Sequence, residues 1–428
     1  MTDAPLAKRG LNAHSVVGLV ISTVLYIICL SGTVSVFKDE LQLLEHKGEP
    51  VVDYLSPQSA PTAAENGMRE DPESKHLFIH MPVEINHRAI VQTDNKELYV
   101  DAGGNVSAPV NFPWTDFIID LHYYLNLPRT FGMQIVAIFG VFLFAMSVTG
   151  FVAHPKIFKD AFSFRRNKSE QIKKVDLHNR LSVWTAPFHI SNSLTGAMIG
   201  LASLSALTIG ALKYDGDFEA VFEPVFGGEP AADLAPAPIA RIDKALAYME
   251  ENHPDLPPLF VILHDPGTKG QYLQIMAEHP NRLIYAEKYN FSGEGDFIDT
   301  VGSADGTTGQ QVADSVYRIH FGNFGGYPVK IAFVIFGLCL LIIITSGMNI
   351  YFLKQQARGR NMSHHRAVWQ GVVAGAPAML VLTFIAAYWQ TQTSLAAIFW
   401  LGLLGCVALT LVLSFRPDQS FSKERVAD

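Results

Sequence analysis

The sequence is poor in charged residues and in cysteine. Charged residues make up 17% of the 428 positions and hydrophobic residues 49%, whereas an average soluble domain has about 25% charged residues. This composition argues against a purely soluble protein and predicts a membrane protein with substantial soluble parts. The three cysteines, Cys29, Cys339 and Cys406, lie far apart in apolar runs. We expect small buried side chains there, and neither a disulfide framework nor a zinc site.

Common nucleotide and metal motifs are also missing. No Gly-x-Gly-x-x-Gly follows a predicted strand and no Walker loop occurs, which argues against a Rossmann-bound dinucleotide and against ATP. The chain has no HExxH, CxxC or CxxCH motif. Any electrons that the protein carries must therefore come from a separate reductase on the cytoplasmic side or from quinol in the bilayer. No nucleic-acid partner is predicted.

Long apolar runs, by contrast, are present, and six of them are long enough to cross a bilayer, for which about 20 residues suffice. A short arm with Lys8 and Arg9 precedes the first run without a small-residue cleavage site. We therefore expect a retained helix, surrounded by membrane lipid, and not a signal peptide. The predicted spans are Val16–Phe37, Phe131–Ala153, Leu181–Leu212, Val329–Phe352, Val368–Tyr388 and Leu395–Phe415.

The distribution of charge predicts the orientation in the membrane. The loops after the second and fourth runs and the C-terminal tail are rich in Lys and Arg. The positive-inside rule places these loops and both termini in the cytoplasm. The two long connections, 38–120 and 213–318, carry an excess of Asp and Glu. We expect them on the periplasmic side of a bacterial inner membrane.

The order of segments indicates an internal duplication. A span, an external domain, a span and a basic loop occur twice, and two further spans follow. The predicted fold is an α-helical membrane protein with six transmembrane helices and an internal duplication, plus two small α+β periplasmic domains. The segments are the arm with the first span (1–37), periplasmic domain 1 (38–120), the second span (121–154), a basic loop (155–177), the third span (178–212), periplasmic domain 2 (213–318), the fourth span (319–353), a loop (354–366), a two-span hairpin (367–415) and the tail (416–428).

Both external segments contain short alternating runs that predict strands. An amphipathic pattern predicts a helix over Pro238–Asn252, and the Pro- and Ala-rich stretch Glu229–Pro238 predicts a linker or mobile loop. The final hairpin has no histidine inside its spans, and we expect it to serve packing or partner contacts. The predicted strands are Leu77–Ile79, Ala89–Thr93, Glu97–Val100, Phe260–Leu263, Gln271–Met276 and Arg282–Lys288.

Four histidines occupy matching positions in the two halves. His14 precedes Gly32 at the same spacing at which His178 precedes Gly196. His122 and His320 each precede an IFG-containing span that ends in Thr-Gly or Ser-Gly. Histidine is costly near hydrocarbon, so repeated positions need a cause. Axial ligation of two haem irons would supply it, with His14/His178 as the cytoplasmic pair and His122/His320 as the periplasmic pair.

The alternative for each histidine alone is an interfacial residue that caps a helix or anchors at the headgroups, but this role does not require internal repetition. Two further histidines have no counterpart in the repeat. His189 lies in a polar patch within the third apolar run, and it is a candidate haem ligand, propionate partner or proton relay. His154 ends the second span, where a helix-terminal cation and a haem ligand are both open.

The sequence resembles the PepSY-associated transmembrane proteins, a bacterial group that includes inner-membrane siderophore and iron reductases. The matching segments are HSVVGLVISTVLYIICLSGTVSVFKDEL in the first span, HPKIFKDAFSFR after the second, DLHNRLSVW…PFH…LTG in the third and IHFGNFGG before the fourth. The resemblance covers about residues 10–355 and leaves out the last two spans. Asn126 departs from relatives that carry a second histidine one turn after the position of His122.

The resemblance implies two periplasmic PepSY-type domains, b-type haem in the helical bundle and delivery of electrons to ferric siderophores. The family histidines fall on His14, His122, His154, His178, His189 and His320. The main hypothesis is therefore an inner-membrane oxidoreductase with two haem b groups that acts as a ferric-siderophore or Fe(III)-chelate reductase. The alternatives are a non-enzymatic PepSY sensor or binding protein, and a quinol-linked cytochrome that serves another periplasmic acceptor.

Overall fold

The chain forms two compact units in this computed structural model, which describes residues 4–46, 48–83, 86–154, 156–162, 169–228, 233–279, 283–302 and 304–415. The membrane unit comprises Met1–Val36, Pro113–Leu201 and Gly325–Asp428, and the sheet unit comprises Phe37–Phe112 and Ala202–Phe324. The helices are α1 (Ala4–Ser35), α2 (Lys38–Glu45), α3 (Ala60–Glu70), α4 (Pro113–Tyr124), α5 (Arg129–Ala153), α6 (Ile157–Asp160), α7 (Glu170–Trp184), α8 (Ala186–Lys213), α9 (Glu223–Phe226), α10 (Ile242–Asn252), α11 (Thr308–Phe321), α12 (Gly326–Gln356), α13 (Ser363–Tyr388) and α14 (Leu395–Ser414).

Six helices of the described chain are long and apolar enough to cross a membrane: α1, α5, α8, α12, α13 and α14. They correspond to the six spans predicted from sequence, which confirms a multi-pass membrane protein. Cys29, Cys339 and Cys406 are all free thiols within these helices, and each is half-buried where a buried side chain was expected. Arg165 and Arg166, two of the basic residues in the loop after the second span, lie outside the described residues.

The third predicted span differs from the sequence prediction at its beginning. The run Leu181–Leu212 is not one helix, because α7 ends at Trp184 and α8 begins at Ala186. Thr185 between them has φ −103° and ψ 9°. Pro187 in the first turn of α8 explains the break, because proline lacks the N–H of a continuing helix and its ring clashes with the carbonyl four residues earlier.

Two of the spans follow a short helix and a sharp turn. Residues 125–128 separate α4 from α5, and the first two of them, Leu125 and Asn126, have φ angles of 54° and 55°. α11 ends at Gly322 in the left-handed region, with φ 67°, before α12 begins. His122 and His320 lie in the last turns of α4 and α11. Each of these histidines is therefore carried by a short helix that precedes a span, and not by the span itself.

The sheet unit contains one antiparallel sheet of eight strands in the order β4-β3-β2-β1-β5-β6-β7-β8. Each half is a four-stranded meander that follows one helix, α3 or α10. The strands are β1 (His76–His80), β2 (Ala89–Thr93), β3 (Glu97–Val100), β4 (Val106–Pro109), β5 (Pro258–His264), β6 (Tyr272–Ala277), β7 (Glu287–Ser292) and β8 (Phe297–Val301).

The sequence predicted two separate external domains, and this separation is wrong. The segments 38–120 and 213–318 contribute strands to one sheet and side chains to one core. β1 pairs with β5, with Phe78 opposite Ile262 at the centre. Each meander alone would leave an unpaired edge strand beside a buried face, and the pairing removes both edges. α3 and α10 contribute to a single hydrophobic core that includes Leu77, Val261 and Phe291, each 0% exposed.

Most strand predictions in the sheet unit are confirmed, and two local predictions differ in part from the structure. β1, β2, β3, β5 and β6 coincide with predicted runs, and α10 lies within the predicted helix. The predicted run Arg282–Lys288 overlaps a strand only at its end, because β7 begins at Glu287, and Arg282 lies outside the described residues. The described part of the predicted linker is hydrogen-bonded, because the Ala237 N–H donates to the Gly267 carbonyl at 2.8 Å and the Lys269 N–H to the Ala235 carbonyl at 2.7 Å.

Candidate functional site

His14 on α1 and His178 on α7 face each other within the membrane unit. Their ring centroids are 6.3 Å apart and the ring planes are inclined by 85°. Two imidazoles that bind opposite sides of one metal ion through bonds of about 2.0 Å place their ring centroids about 6 Å apart. The structure thus brings together the pair that the repeat predicts, at a separation suited to two axial ligands of one iron.

Both rings are oriented by a backbone carbonyl of a neighbouring helix. His14 Nδ1 lies 3.1 Å from the Met146 carbonyl oxygen on α5, and His178 Nδ1 lies 3.0 Å from the Ile343 carbonyl oxygen on α12. A carbonyl oxygen only accepts, so Nδ1 carries the proton in each ring. The lone pair of each neutral imidazole is therefore on Nε2, which is the atom that a metal would bind.

A glycine lies beside each of these rings. Met146 and Ile343 are each followed four residues later by glycine, Gly150 and Gly347. A Cβ atom at Gly150 would lie 3.5 Å from His14 Cε1, an ordinary contact, and one at Gly347 would lie 3.2 Å from His178 Cε1, a tight one. The missing side chain at Gly347 therefore leaves room for the His178 ring beside the carbonyl.

His122 on α4 has the same surroundings. Its Nδ1 lies 2.9 Å from the Ile28 carbonyl oxygen of α1, and Gly32 again follows the acceptor by four residues. A Cβ atom at Gly32 would lie only 2.5 Å from His122 Cε1. His122 therefore also presents Nε2 as its lone-pair nitrogen, and its ring is the most closely confined of the three.

The accepting carbonyls are functional groups that the sequence analysis missed. Each lies four residues before a glycine that directly follows Ser or Thr, in Ser31-Gly32, Thr149-Gly150 and Ser346-Gly347. Ser346 also places its hydroxyl oxygen 3.2 Å from His178 Nδ1. A fourth such pair, Thr195-Gly196, occurs in α8. The repeated hydroxyl–glycine pair is the sequence signal from which these acceptors could have been found.

His320 belongs to the sheet unit and is described within it. It lies in the last turn of α11, where the helix dipole favours a basic side chain. A capping box between Thr307 and Gln310 begins this helix, and the left-handed Gly322 ends it. The half-buried His320 ring lies 5.6 Å from the Phe321 ring, centroid to centroid.

His189 has the opposite hydrogen-bond pattern. Its Nε2 lies 3.1 Å from the Ser182 carbonyl oxygen, so Nε2 carries the proton. Its Nδ1 lies 3.4 Å from the Thr185 hydroxyl oxygen. The side chain is 4% exposed. His189 therefore bridges the break between α7 and α8 and donates to one of the last carbonyls of α7. Its protonated nitrogen is Nε2, whereas in His14, His122 and His178 it is Nδ1.

The remaining predicted positions are placed as follows. His154 is the half-buried residue that ends α5, and its carbonyl accepts from the Ile157 N–H at 2.9 Å. His364 and His365 are exposed at the start of α13. Across the described ranges, no three His, Cys, Asp or Glu side chains form a group that could hold a metal ion.

The six candidate spans and the eight-stranded sheet define a multi-pass membrane protein with a sheet unit. The sequence profile of the PepSY-associated TM region matches residues 11–355. The chain therefore belongs to this family. A protein of Pseudomonas aeruginosa (strain PAO1), Uncharacterized protein PA4219, is 28% identical over 133 residues, which cover 31% of this chain and 33% of that protein. The match thus spans about a third of the relative's length.

Proposed function

We propose that this protein is an inner-membrane b-type dihaem oxidoreductase that reduces a ferric siderophore or another Fe(III) chelate in the periplasm and releases Fe(II). The observation that carries the proposal is the His14–His178 pair, with centroids 6.3 Å apart in perpendicular planes. Each of these rings has its Nδ1 beside a backbone carbonyl. Interfacial anchoring needs neither the pairing nor the shared orientation.

The residues would perform distinct tasks at the proposed sites. Bound haem supplies a one-electron Fe(III)/Fe(II) couple, whose potential depends on the axial ligands and their hydrogen bonds. The carbonyls of Met146 and Ile343 fix the ligand rings and, by accepting from Nδ1–H, make Nε2 more basic. The Ile28 carbonyl does the same for His122. We propose His122 and His320 as the second ligand pair.

The repeated parts of the chain support an origin by duplication. The distribution of charge supports a haem near each face of the membrane. Both sheet halves follow the same order of one helix and four strands, and hydroxyl–glycine pairs recur in four spans. We propose that the termini are cytoplasmic and that the sheet unit is periplasmic and PepSY-like, since the acidic segments belong to it and the basic loops to the membrane unit.

The chemistry of the acceptor completes the proposal. Each Fe(III) takes up one electron, which a separate cytoplasmic reductase or membrane quinol supplies. Fe(II) is a softer ion than Fe(III) and is held less tightly by hard oxygen ligands, so reduction releases the metal from the chelator. The choice of a ferric acceptor rests on the family resemblance, and the need for a separate donor rests on the absence of nucleotide-binding motifs in the sequence.

The test is a haem determination combined with a reduction assay. We expect purified protein to contain two haem b per chain by pyridine haemochrome, and a dithionite-reduced α band. Reduced protein mixed with a ferric chelate and an Fe(II) indicator is expected to be reoxidised with formation of one Fe(II) per electron. The double variant His122→Ala, His320→Ala is the control, which should keep the other haem and lose reduction. Protein without a Soret band contradicts the proposal, and full haem without ferric reduction would favour a cytochrome that serves another acceptor.

A further inference from the structure

The last two helices, α13 and α14, form a hairpin that lies outside the family match. The two helices lie close together, since a Cβ atom at Gly371 would lie 2.6 Å from Thr410 Oγ1, and one at Gly375 would lie 2.8 Å from Cys406 Cβ. The hairpin is thus a tightly packed pair within the membrane unit. Its side chains contact α4, the short helix that carries His122, at three levels.

The first contact fixes the beginning of α4. The Trp114 indole N–H donates to Thr383 Oγ1 at 3.1 Å. Thr383 is 0% exposed, and its own hydroxyl donates to the Leu380 carbonyl at 2.8 Å. Its oxygen is therefore left to accept from the indole. The Trp114 ring also meets the Phe384 ring edge to face, with centroids 5.0 Å apart.

Two more contacts follow toward His122. Phe117 packs on the fully buried Phe399 of α14, with ring centroids 5.8 Å apart. The Trp400 indole N–H donates to Asn126 Oδ1 at 3.3 Å. Asn126 has φ 55° and forms, with Leu125, the left-handed turn that ends α4. The hairpin thus holds the start, the middle and the terminating turn of the helix.

α1 holds the same helix through His122 itself. The His122 ring lies against the Gly32 position and next to the Ile28 carbonyl. A helix as short as α4 is marginal by itself and takes its orientation from its neighbours. A small rotation or shift of α4 would move the ring off the carbonyl that orients it. Polar contacts to the hairpin, at Thr383 and Trp400, allow fewer arrangements than apolar contacts because a buried donor must keep its acceptor.

We propose that the α13–α14 hairpin is a positioning device for His122, with Thr383 and Trp400 as positioning residues that set the rotation and depth of α4. This inference rests on the proposed function, in which His122 is a haem ligand. Under this inference, α13 and α14, which lie beyond the family match, adjust the potential of one of the two haem sites. The hairpin also contacts α1, where the Tyr26 hydroxyl donates to the Val373 carbonyl at 3.2 Å and the Tyr26 ring meets the Trp369 ring. Among the described hydrogen bonds and ring contacts, however, none joins the hairpin to His14, His178 or α7.

The test compares two variants of the full-length protein. Thr383→Val keeps the side-chain volume and removes the hydroxyl, with its bonds to Trp114 and to the Leu380 carbonyl, and Trp400→Phe keeps an aromatic ring and removes the bond to Asn126. Thr383→Val and Trp400→Phe are expected to shift the low-spin electron paramagnetic resonance signal and the midpoint potential of the haem at His122. The signal and potential of the haem at His14/His178 are expected to stay unchanged. Thr383→Ser restores the acceptor and should restore the wild-type values.

Matched controls lie on the same hairpin. Trp389 is 78% exposed, and the Thr410 hydroxyl donates within its own helix, to the Cys406 and Val407 carbonyls. Trp389→Phe and Thr410→Val should therefore leave both haems unchanged. Asn126→Gly tests the other partner of the Trp400 bond, because glycine keeps the left-handed turn and lacks the acceptor. It should reproduce the shift of Trp400→Phe, and the double variant should show no larger shift.

The outcomes separate this inference from the proposed function. Wild-type protein without haem overturns the proposed function and this inference with it. Normal haem content with wild-type spectra in Thr383→Val, Trp400→Phe and Asn126→Gly overturns the inference alone. Equal shifts of both haem signals in these variants also overturn it, since they indicate a general loss of packing and not the positioning of His122.

Discussion

The half-buried histidines of the membrane unit and those of the sheet unit are held by different kinds of partner. In the membrane unit, Nδ1 of His14, His122 and His178 lies beside a backbone carbonyl of another helix. In the sheet unit, His80 bonds the Gln92 side chain at 2.7 Å, and His264 stacks on the Tyr272 ring with centroids 4.3 Å apart. A backbone carbonyl fixes one tautomer and leaves Nε2 as the lone pair, whereas side-chain partners on adjacent strands join the imidazole to the sheet itself.

Under the proposed function, this difference separates the ligand histidines from the structural ones. A carbonyl that belongs to a rigid span cannot rotate away, so the orientation of Nε2 is set by the packing of two helices. An amide or aromatic partner on a neighbouring strand stabilises the sheet by cross-strand contact. His189 lies in the membrane unit but bonds within the α7–α8 segment. The comparison therefore groups His189 with the structural histidines.

The largest expected effect separates His178 from His189, which lie on either side of the same helix break. We expect His178→Ala to lose one of two haems per chain, because one axial ligand of the pair disappears. His189→Ala should keep both haems and lower the free energy of unfolding by about 1–3 kcal/mol, since the buried Ser182 carbonyl loses its donor. Pyridine haemochrome per chain and denaturant unfolding measure the two effects.

The exposed His364 provides the control for that comparison, and His364→Ala should leave haem content and stability unchanged. Loss of haem in His189→Ala at undiminished stability would show that this histidine is a ligand after all, and the grouping by hydrogen-bond pattern would be wrong.

Sequence periodicity predicted the six spans and most strands because each depends on local hydrophobic pattern. The break at Thr185 was not predicted, since the apolar run continues through it and Pro187 alone marks a new helix. The pairing of β1 with β5 was missed for another reason. It joins strands that are far apart in sequence, and no local pattern reports a contact between His76–His80 and Pro258–His264.

In the candidate site too, some features could be predicted from the sequence and others could not. The repeat predicted that His14 and His178 should be equivalent, and the structure brings their rings together. It did not show that His189 bonds Ser182, because the predicted span Leu181–Leu212 assumed one continuous helix. The accepting carbonyls of Met146 and Ile343 were missed because backbone groups have no sequence signature, except through the glycines four residues later.

A smaller effect is expected from the glycines that confine the rings. A Cβ atom at Gly32 would lie 2.5 Å from His122 Cε1, whereas one at Gly150 would lie 3.5 Å from His14 Cε1, an ordinary contact. Gly32→Ala should therefore displace His122 and reduce the haem bound there, by about half or more, while Gly150→Ala keeps full haem content. Alanine is favoured over glycine within a helix by about 1 kcal/mol, so helix propensity predicts a gain for both variants. Equal haem content in the two proteins would mean that the close fit around His122 has no functional weight.

The smallest effect is expected in the sheet unit and concerns its pH dependence. Burial, together with the neighbouring His76, lowers the pKa of His264 from 6.5 to about 4. The unfolded chain therefore takes up a proton below about pH 6.5 that the folded sheet excludes until about pH 4, so stability falls as the pH drops through this window, by at most about 1.4 kcal/mol per pH unit. His264→Phe keeps the stacking on Tyr272 and removes the titration.

Hydrogen exchange of the β5 amides, corrected for intrinsic rates, should show less loss of protection between pH 7 and pH 5 in this variant than in wild type. The control is His87→Phe, because the His87 side chain is 49% exposed. If both variants lose protection as wild type does, burial of the His264 imidazole is not the cause of the acid sensitivity of the sheet.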